Sequence, residues 1–208
     1  MTITVTDDED PTITCPGDVL VVADAGTCEA TGVALGSPTT GDNCGVASTT
    51  NDAPAAFPVG TTVVTWTVTD LYGNTATCSQ DVTVQDTEVP TITCPSDVNQ
   101  TADAGVCEAA VVVAAPVTAD NCGVASVTND YNGSADASDT YPVGATTVTW
   151  TVTDIYGNTA QCSMTVTVTD DEDPSITCPA DITQTADAGV CEAAVVVAAP
   201  ATSDNCGV

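Results

Sequence analysis

The sequence contains no lysine, no arginine and no histidine. Against 29 aspartates and glutamates, this leaves a formal net charge of −29. Without ammonium, guanidinium or imidazole there is no Ser-His-Asp triad, no Schiff-base lysine and no phosphate clamp. The acidic clusters lie at linkers and do not read as a buried acid/base pair with split pKa values, so an enzyme is not expected. DNA, RNA and anionic membrane surfaces carry the chain's own sign of charge, and none can be held by it electrostatically. Ordinary side-chain salt bridges cannot form, so neutralisation falls to cations from solvent or to bound metal. Every trypsin-type cleavage site is missing too, and so is the lysine of any Lys–Asn crosslink.

Aromatic residues make up only 3% of the chain, so Val, Ile, Ala and Cys must build the core. The longest mainly apolar run, AAVVVAAP at 109–116 and 193–200, is too short to cross a bilayer. Residues 1–11 are acidic, with neither the basic nor the apolar region of a secretion signal. Hydrophobic residues nevertheless reach 43%, and the mean hydropathy is positive, which excludes an acidic disordered chain. There are 11 cysteines, no C-x-x-C pair and no histidine to complete a zinc site. Disulfides formed in an oxidising compartment are the better reading.

The chain repeats itself. CPSDVNQTADAGVCEAAVVVAAPVTADNCGV (94–124) recurs with few changes at 178–208, an offset of 84 residues, and a more diverged copy occupies 15–46. VVTWTVTDLYGNTATCS (63–79) matches VTWTVTDIYGNTAQCS (148–163). The cysteines fall into the sets 15/28/44/78, 94/107/122/162 and 178/191/206. The odd cysteine thus reflects an incomplete third set. MTITVTDDEDP (1–11) matches MTVTVTDDEDP (164–174), which makes Met1 equivalent to a strand residue, Met164, with Gln80 at the corresponding place between them. The expected organisation is a segment of a longer array: residues 1–8 as the last strand of a preceding repeat, 9–86 and 87–170 as full repeats, and 171–208 as the first half of a third.

Each repeat reads as all-β. In TVTWTVTD, Val148, Trp150 and Val152 alternate with threonines, as Val64, Trp66 and Val68 do in the first copy. The tryptophans therefore read as core and not as sugar platforms. Cys162, Met164, Val166 and Val168 continue the pattern after an IYGN turn. Pro11, Pro90 and Pro174 open the repeats, and no segment has a helical period. About seven short strands in some 80 residues predict an immunoglobulin-like β-sandwich. The copies differ most between 129–141, NDYNGSADASDTY, and the shorter NDAPAAF at 51–57, which predicts a loop.

The ordered motifs P-T-I-T-C-P-x-D, A-G-x-C, D-N-C-G, Y/F-P-V-G and T-D-x-Y-G-N-T-A-x-C cover essentially the whole chain, and they resemble the hyalin repeat (HYR) family. The resemblance implies tandem immunoglobulin-like sandwiches at the cell surface or outside the cell, with a role in adhesion and matrix and no catalysis. Four cysteines per repeat allow three pairings. Relatives that keep only the first and fourth imply Cys15–Cys78 and Cys94–Cys162, leaving Cys28–Cys44, Cys107–Cys122 and Cys191–Cys206, with Cys178 pairing elsewhere.

A calcium site is expected where repeats join. TDDEDP (6–11, 169–174) and QDTEVP (85–90) place Asp7, Asp86 and Asp170, with Glu9, Glu88 and Glu172, at the junctions. In a sandwich of this kind, D-N-C-G (Asp42, Asn43; Asp120, Asn121; Asp204, Asn205) and D-x-Y-G-N (Asp70, Asn74; Asp154, Asn158) come near the preceding linker. Carboxylate and amide oxygens suit Ca²⁺, which takes about six to eight oxygen ligands. The same residues are also good turn formers. Asn99 and Asn132 fit the N-glycosylation sequon. The functional expectation is a structural segment of a long extracellular fibre, stalk or adhesin, partnered by copies of itself. The alternative is a carbohydrate- or protein-binding array, with 129–141 as its first suspect.

Overall fold

A computed structural model describes residues 1–207. Every regular element among the described residues is a β-strand. The first repeat contains β1 (Thr12–Thr14), β2 (Val19–Val22), β3 (Glu29–Thr31), β4 (Thr39–Gly41), β5 (Val46–Asn51), β6 (Ala56–Pro58), β7 (Gly60–Asp70) and β8 (Thr75–Gln85). The second contains β9 (Thr91–Thr93), β10 (Val98–Thr101), β11 (Glu108–Val111), β12 (Val117–Ala119), β13 (Val124–Asn129), β14 (Asp139–Pro142), β15 (Gly144–Asp154) and β16 (Thr159–Thr169). Two short strands follow, β17 (Ser175–Thr177) and β18 (Ala201–Ser203). By contact density the chain divides into two compact units. One comprises 1–91, 118–125 and 152–160; the other comprises 92–117, 126–151 and 161 onward.

In the first repeat a four-stranded sheet, ordered β2-β8-β7-β5, faces two smaller ladders, β1-β4 and β3-β6. The eleven-residue strands β7 and β8 form its central hairpin. Their β-branched alternation buries Val64, Trp66, Val68, Val82 and Val84. Ala30 of β3 and Phe57 of β6 close the core from the other layer. The second repeat has the same order, β10-β16-β15-β13 against β11-β14 and β9-β12. Eight strands stand where seven were expected. The extra one arises after Cys15-Pro16 and Cys94-Pro95, where proline removes a ladder donor and the chain crosses sheets. β2 and β10 then run parallel to β8 and β16.

The two cores solve one problem differently. Trp66 donates its indole N–H to Gln80 Oε1 at 3.0 Å. Gln80 is wholly buried, and its amide donates to the carbonyls of Gly17 (2.7 Å) and Leu35 (2.9 Å). In the second repeat Met164 takes that place, and the Trp150 indole reaches the Ala135 carbonyl at 3.4 Å. That carbonyl lies in the longer 129–141 segment, so the longer loop makes the buried glutamine dispensable. We expect Gln80→Met to lower stability by about 1–2 kcal/mol in urea unfolding, because the buried Trp66 indole N–H loses its acceptor and the half-covered Gly17 and Leu35 carbonyls lose a donor.

The longer loop is bonded to itself. Asn129 Nδ2 donates to Asn132 Oδ1 and to the Ser134 carbonyl, and Asn132 Nδ2 donates to the Asp136 carbonyl at 3.0 Å. The sequon nitrogen of Asn132 is therefore engaged, whereas Asn99 lies exposed on β10. Tyr131 stacks on Tyr141 with ring centroids 4.2 Å apart. Tyr141 is fully buried and donates its hydroxyl to the Ala137 carbonyl at 2.6 Å, while the shorter loop has Phe57 there. Burial, then the charges of nearby tyrosine and aspartates, pushes the Tyr141 pKa up to about 12. An unfolded tyrosine ionises near about 10. Its neutral form therefore stabilises the fold below that pH, and the contribution is lost as pH rises through about 12. Tyr141→Phe should flatten the pH dependence of stability across that alkaline range, as read by urea midpoints.

Residues 1–8 pair with no strand, and Met1, Ile3 and Val5 are exposed. A strand needs a neighbour for its N–H and C=O groups. The equivalent Met164 has one, and it is buried. Likewise Val195, Val196 and Val197 are exposed, whereas Val111 and Val113 are covered by the second repeat's own hairpin.

The structure bonds Cys15 to Cys78 and Cys94 to Cys162, tying the first strand of each repeat to its last. The remaining expected pairs are corrected. Cys28 is bonded to Cys122, not to Cys44, and Cys107 is bonded to Cys206, not to Cys122. Cys44, Cys178 and Cys191 are free and exposed, so Cys191–Cys206 is not formed. The reason is the length of the central hairpin. Cys28 follows β2, where Ala23 donates to the Gln85 carbonyl at the far end of β8. Cys44 precedes β5, where Val46 pairs with Asp70 beside the β7–β8 turn. The eleven residues of β8 separate these ends by about 35 Å at ~3.3 Å per residue, while bonded cysteines need Cα atoms within about 7 Å.

Candidate metal centre

The D-N-C-G segment makes a tight turn in which one aspartate oxygen is consumed locally. Asp42 Oδ2 accepts from the Cys44 and Gly45 N–H groups, both at 2.7 Å. Its Oδ1 is buried and has no partner. In D-L-Y-G-N, Asp70 Oδ1 accepts from the N–H groups of Tyr72, Gly73 and Asn74, and Oδ2 accepts from Asn74 Nδ2 at 2.7 Å. Gly73 adopts φ +98°, a conformation the turn requires and other residues resist. In the linker, Asp7 Oδ1 accepts from the Glu9 N–H at 3.2 Å, and Oδ2 is buried without a partner. One oxygen from each of Asp7, Asp42 and Asp70 lies within 4.8 Å of the others.

The second set reproduces the first, and all of it lies within one compact unit. Asp120 Oδ2 accepts from Cys122 N (2.9 Å) and Gly123 N (2.8 Å), leaving Oδ1 buried and unpartnered. Asp154 is held by the backbone of Tyr156 and Asn158 and by the Asn158 amide. Asp86 is only 8% exposed, yet its Oδ2 has no partner. Asp86, Asp120 and Asp154 again converge within 4.8 Å. The Asn121 Oδ1 is a further buried, unpartnered oxygen. Around Asp204, the members present are Asp170, which accepts from Asn205 Nδ2 at 3.1 Å, and Asn205, whose Oδ1 is also buried without a partner.

Burial pushes the Asp70 and Asp154 carboxyls up, but the amides of Asn74 and Asn158 and the backbone donors outweigh it. Both sit below the ordinary carboxylate range and are ionised at neutral pH. The Cys44 thiol is pushed up, first by the Asp7 carboxylate beside it, then by burial and the charges of Asp7, Asp42 and Asp70. Three carboxylates therefore converge with no positive side chain anywhere in the sequence. Buried polar atoms in native proteins are nearly always partnered, and here the orphans are all oxygens, four of them on Asp7, Asp42, Asp86 and Asp120 of the two equivalent trios. An all-oxygen donor set fits a hard divalent cation.

The other expected ligands have different duties. Asn74 and Asn158 turn their amide groups to Asp70 and Asp154, and they also reach the carbonyls of Asp7 and Asp86 at 3.4 Å. They brace the turn against the linker. The glutamates are outside both trios: Glu9 accepts from Asn43 Nδ2, Glu88 from the Gly26 N–H and Glu172 from the Gly105 N–H.

The family model described as HYR domain matches residues 6–84 and 85–168. Hyalin of Strongylocentrotus purpuratus is 34% identical over 216 residues, covering 100% of this chain and 18% of that protein. Hyalin of Lytechinus variegatus is 35% identical over 175 residues, covering 80% of this chain and 32% of that protein. The chain thus spans a third or less of the hyalins it matches. Among solved structures, protocadherin gammaB7 EC3-6 aligns with 84% of this chain and 55% of its own, at 14% identity and a TM-score of 0.39. With one family model covering most of its length in two consecutive copies, this chain belongs to the HYR domain family.

Proposed function

We propose that the chain is a structural segment of a long extracellular fibre, stalk or adhesin, in which calcium ions held by Asp7, Asp42 and Asp70 and by Asp86, Asp120 and Asp154 stiffen the places where repeats join. The strongest support is the duplicated trio with orphaned, buried oxygens in a chain that has no cation of its own. Turn formation and metal binding divide the two oxygens of Asp42 and of Asp120, one for the backbone and one left over. Four disulfides and the absence of any lysine or arginine suit an oxidising, protease-exposed setting. The 129–141 loop spends its polar groups on itself, which favours reach and durability over ligand capture.

Calorimetric titration of calcium into chelator-stripped protein tests this reading. Saturable binding at both trios is expected, with the signal for one of them lost in Asp86→Asn. Heat indistinguishable from buffer dilution would overturn it. Affinities of calcium in extracellular modules are commonly about 10⁻⁴–10⁻³ M.

A further inference from the structure

The Cys28–Cys122 bond sits against the ligand set of Asp86, Asp120 and Asp154, and all of these residues belong to one compact unit. The backbone N–H of Cys122 donates to Asp120 Oδ2 at 2.9 Å, a contact that leaves Asp120 Oδ1 without a partner. The adjacent Asn121 divides its amide. Nδ2 donates to the Thr27 carbonyl at 2.7 Å and lies 3.5 Å from Cys122 Sγ and 3.4 Å from Asp86 Oδ1, whereas Oδ1 is buried and unpartnered. On the other side, the Gly26 N–H donates to Glu88 at 2.8 Å, and the Glu88 N–H donates to Asp86 Oδ1 at 3.1 Å. Both residues that grip the Cys28 turn thus share one oxygen of Asp86, and the other oxygen is left buried and unpartnered.

The same wiring recurs around Cys107–Cys206. The Cys206 N–H donates to Asp204 Oδ1 at 2.8 Å. Asn205 Nδ2 donates to the Val106 carbonyl at 3.0 Å and to Asp170 Oδ1 at 3.1 Å, and its Oδ1 is again buried and unpartnered. The Gly105 N–H donates to Glu172 at 2.8 Å, and the Glu172 N–H to Asp170 Oδ1 at 3.2 Å. In both places the carbonyl that receives the asparagine belongs to the residue just before the bonded cysteine. A carbonyl accepts and cannot donate, so it admits the NH₂ side of the amide and rejects the oxygen. The crosslink fixes that carbonyl in place, and the carbonyl fixes which way the asparagine oxygen faces. A ligand oxygen already held in position loses little freedom when a cation binds.

We propose that the Cys28–Cys122 bond controls calcium affinity at Asp86, Asp120 and Asp154 through Asn121, whose Oδ1 it presents to the cation beside the three carboxylates. The proposal deepens the calcium reading above and rests on it. Reducing the bond frees the Thr27 carbonyl, releases the Asn121 amide and weakens calcium binding. By linkage, the loaded site makes the bond harder to reduce by the same factor. The reductant is a low-molecular-weight thiol such as glutathione. One glutathione thiolate attacks a sulfur of the bond to give a mixed disulfide and one protein thiol, and a second glutathione then displaces the other protein thiol. Two glutathione thiols become one glutathione disulfide, and their protons pass to Cys28 and Cys122.

The test uses the full chain carrying Asp42→Asn, which takes one carboxylate from the first trio and leaves the Asp86 trio complete. Calcium is titrated calorimetrically into this oxidised chain and into the same chain with Cys28→Ser/Cys122→Ser, with Asn121→Ala, and with all three changes. The cysteine pair and Asn121→Ala should each raise Kd roughly tenfold, about 1.4 kcal/mol. Combining them should add nothing to either, because both remove one contact. The chain without any substitution supplies the reciprocal reading, which no misfolded variant can mimic. It is equilibrated with glutathione redox buffer in calcium or in chelator, and the reduced fraction of Cys28–Cys122 is read from acid-quenched, maleimide-labelled pepsin peptides. Calcium should shift that equilibrium roughly tenfold, about 30 mV for a two-electron couple, and the shift should vanish in Asn121→Ala. If the oxidised chain binds calcium but the cysteine pair leaves Kd unchanged, or if the redox equilibrium is the same with and without calcium, the coupling is overturned and the calcium reading stands. Additive losses in the combined variant overturn the route through Asn121. An oxidised chain that binds no calcium overturns both.

Discussion

Adding excess chelator to the calcium-loaded chain should lower its melting temperature by about 10–20 °C per repeat transition. A ligand present at about a hundred times its Kd stabilises the folded state by about 2.7 kcal/mol per site. For a domain of 60–100 residues, each kcal/mol moves Tm by about 4–8 °C. The effect should be specific to the oxygens the fold leaves unpartnered. Asp86→Asn keeps one carbonyl oxygen and the side-chain shape, and it should lose most of the calcium-dependent shift in its own transition. Differential scanning calorimetry with and without chelator reads both transitions. Equal melting temperatures in calcium and in chelator would remove calcium from the account and leave the trios as turn formers alone.

The second large effect concerns the bridges that tie the first strand of each repeat to its last. Cys15 and Cys78 are 63 residues apart, and a crosslink closing a loop of that size contributes about 4 kcal/mol through restriction of the unfolded chain. The Cys15→Ala/Cys78→Ala variant should melt roughly 15–30 °C lower in the first repeat. The core has little in reserve, since its buried side chains are mostly valines around one tryptophan and one phenylalanine. Cys44→Ala is the informative control. Cys44 is free, so its removal should leave both transitions within about 1 °C, well below the scale of a lost structural bond. A Cys44→Ala loss comparable to that of the double variant would mean that Cys44 is bonded within the fold.

The strands of the long hairpin, their buried faces and the position of the variable loop are all legible in the chain. Alternation in V-V-T-W-T-V-T-D has a period of two residues, and a sheet with one covered face leaves no other assignment. The candidate site was legible as a set of residue types. The repeats recur with the same Asp, Asn and Gly in the same turns, and turn chemistry is local. The glutamates and asparagines were only half legible. Their oxygens and nitrogens are chemically fit for a cation, but Glu88 is spent on the Gly26 N–H and Asn158 on Asp86 and Asp154, choices set by neighbours remote in sequence.

Cysteine pairing shows the boundary most clearly. The sequence by itself determined that cysteines come in sets of four, that the fold is all-β and that acidic turns gather at the seams, because each follows from composition, period or local turn geometry. Only the tertiary structure decided that Cys28 meets Cys122 and not Cys44. A signal was present: placing D-N-C-G beside the preceding linker already sets Cys44 at the entry end. What sequence spacing does not convey is that the A-D-A-G turn leaves a strand running parallel to β8 and so lies at the opposite end. Sixteen residues along the chain become the full length of an eleven-residue hairpin in space, and a disulfide reads distance in space.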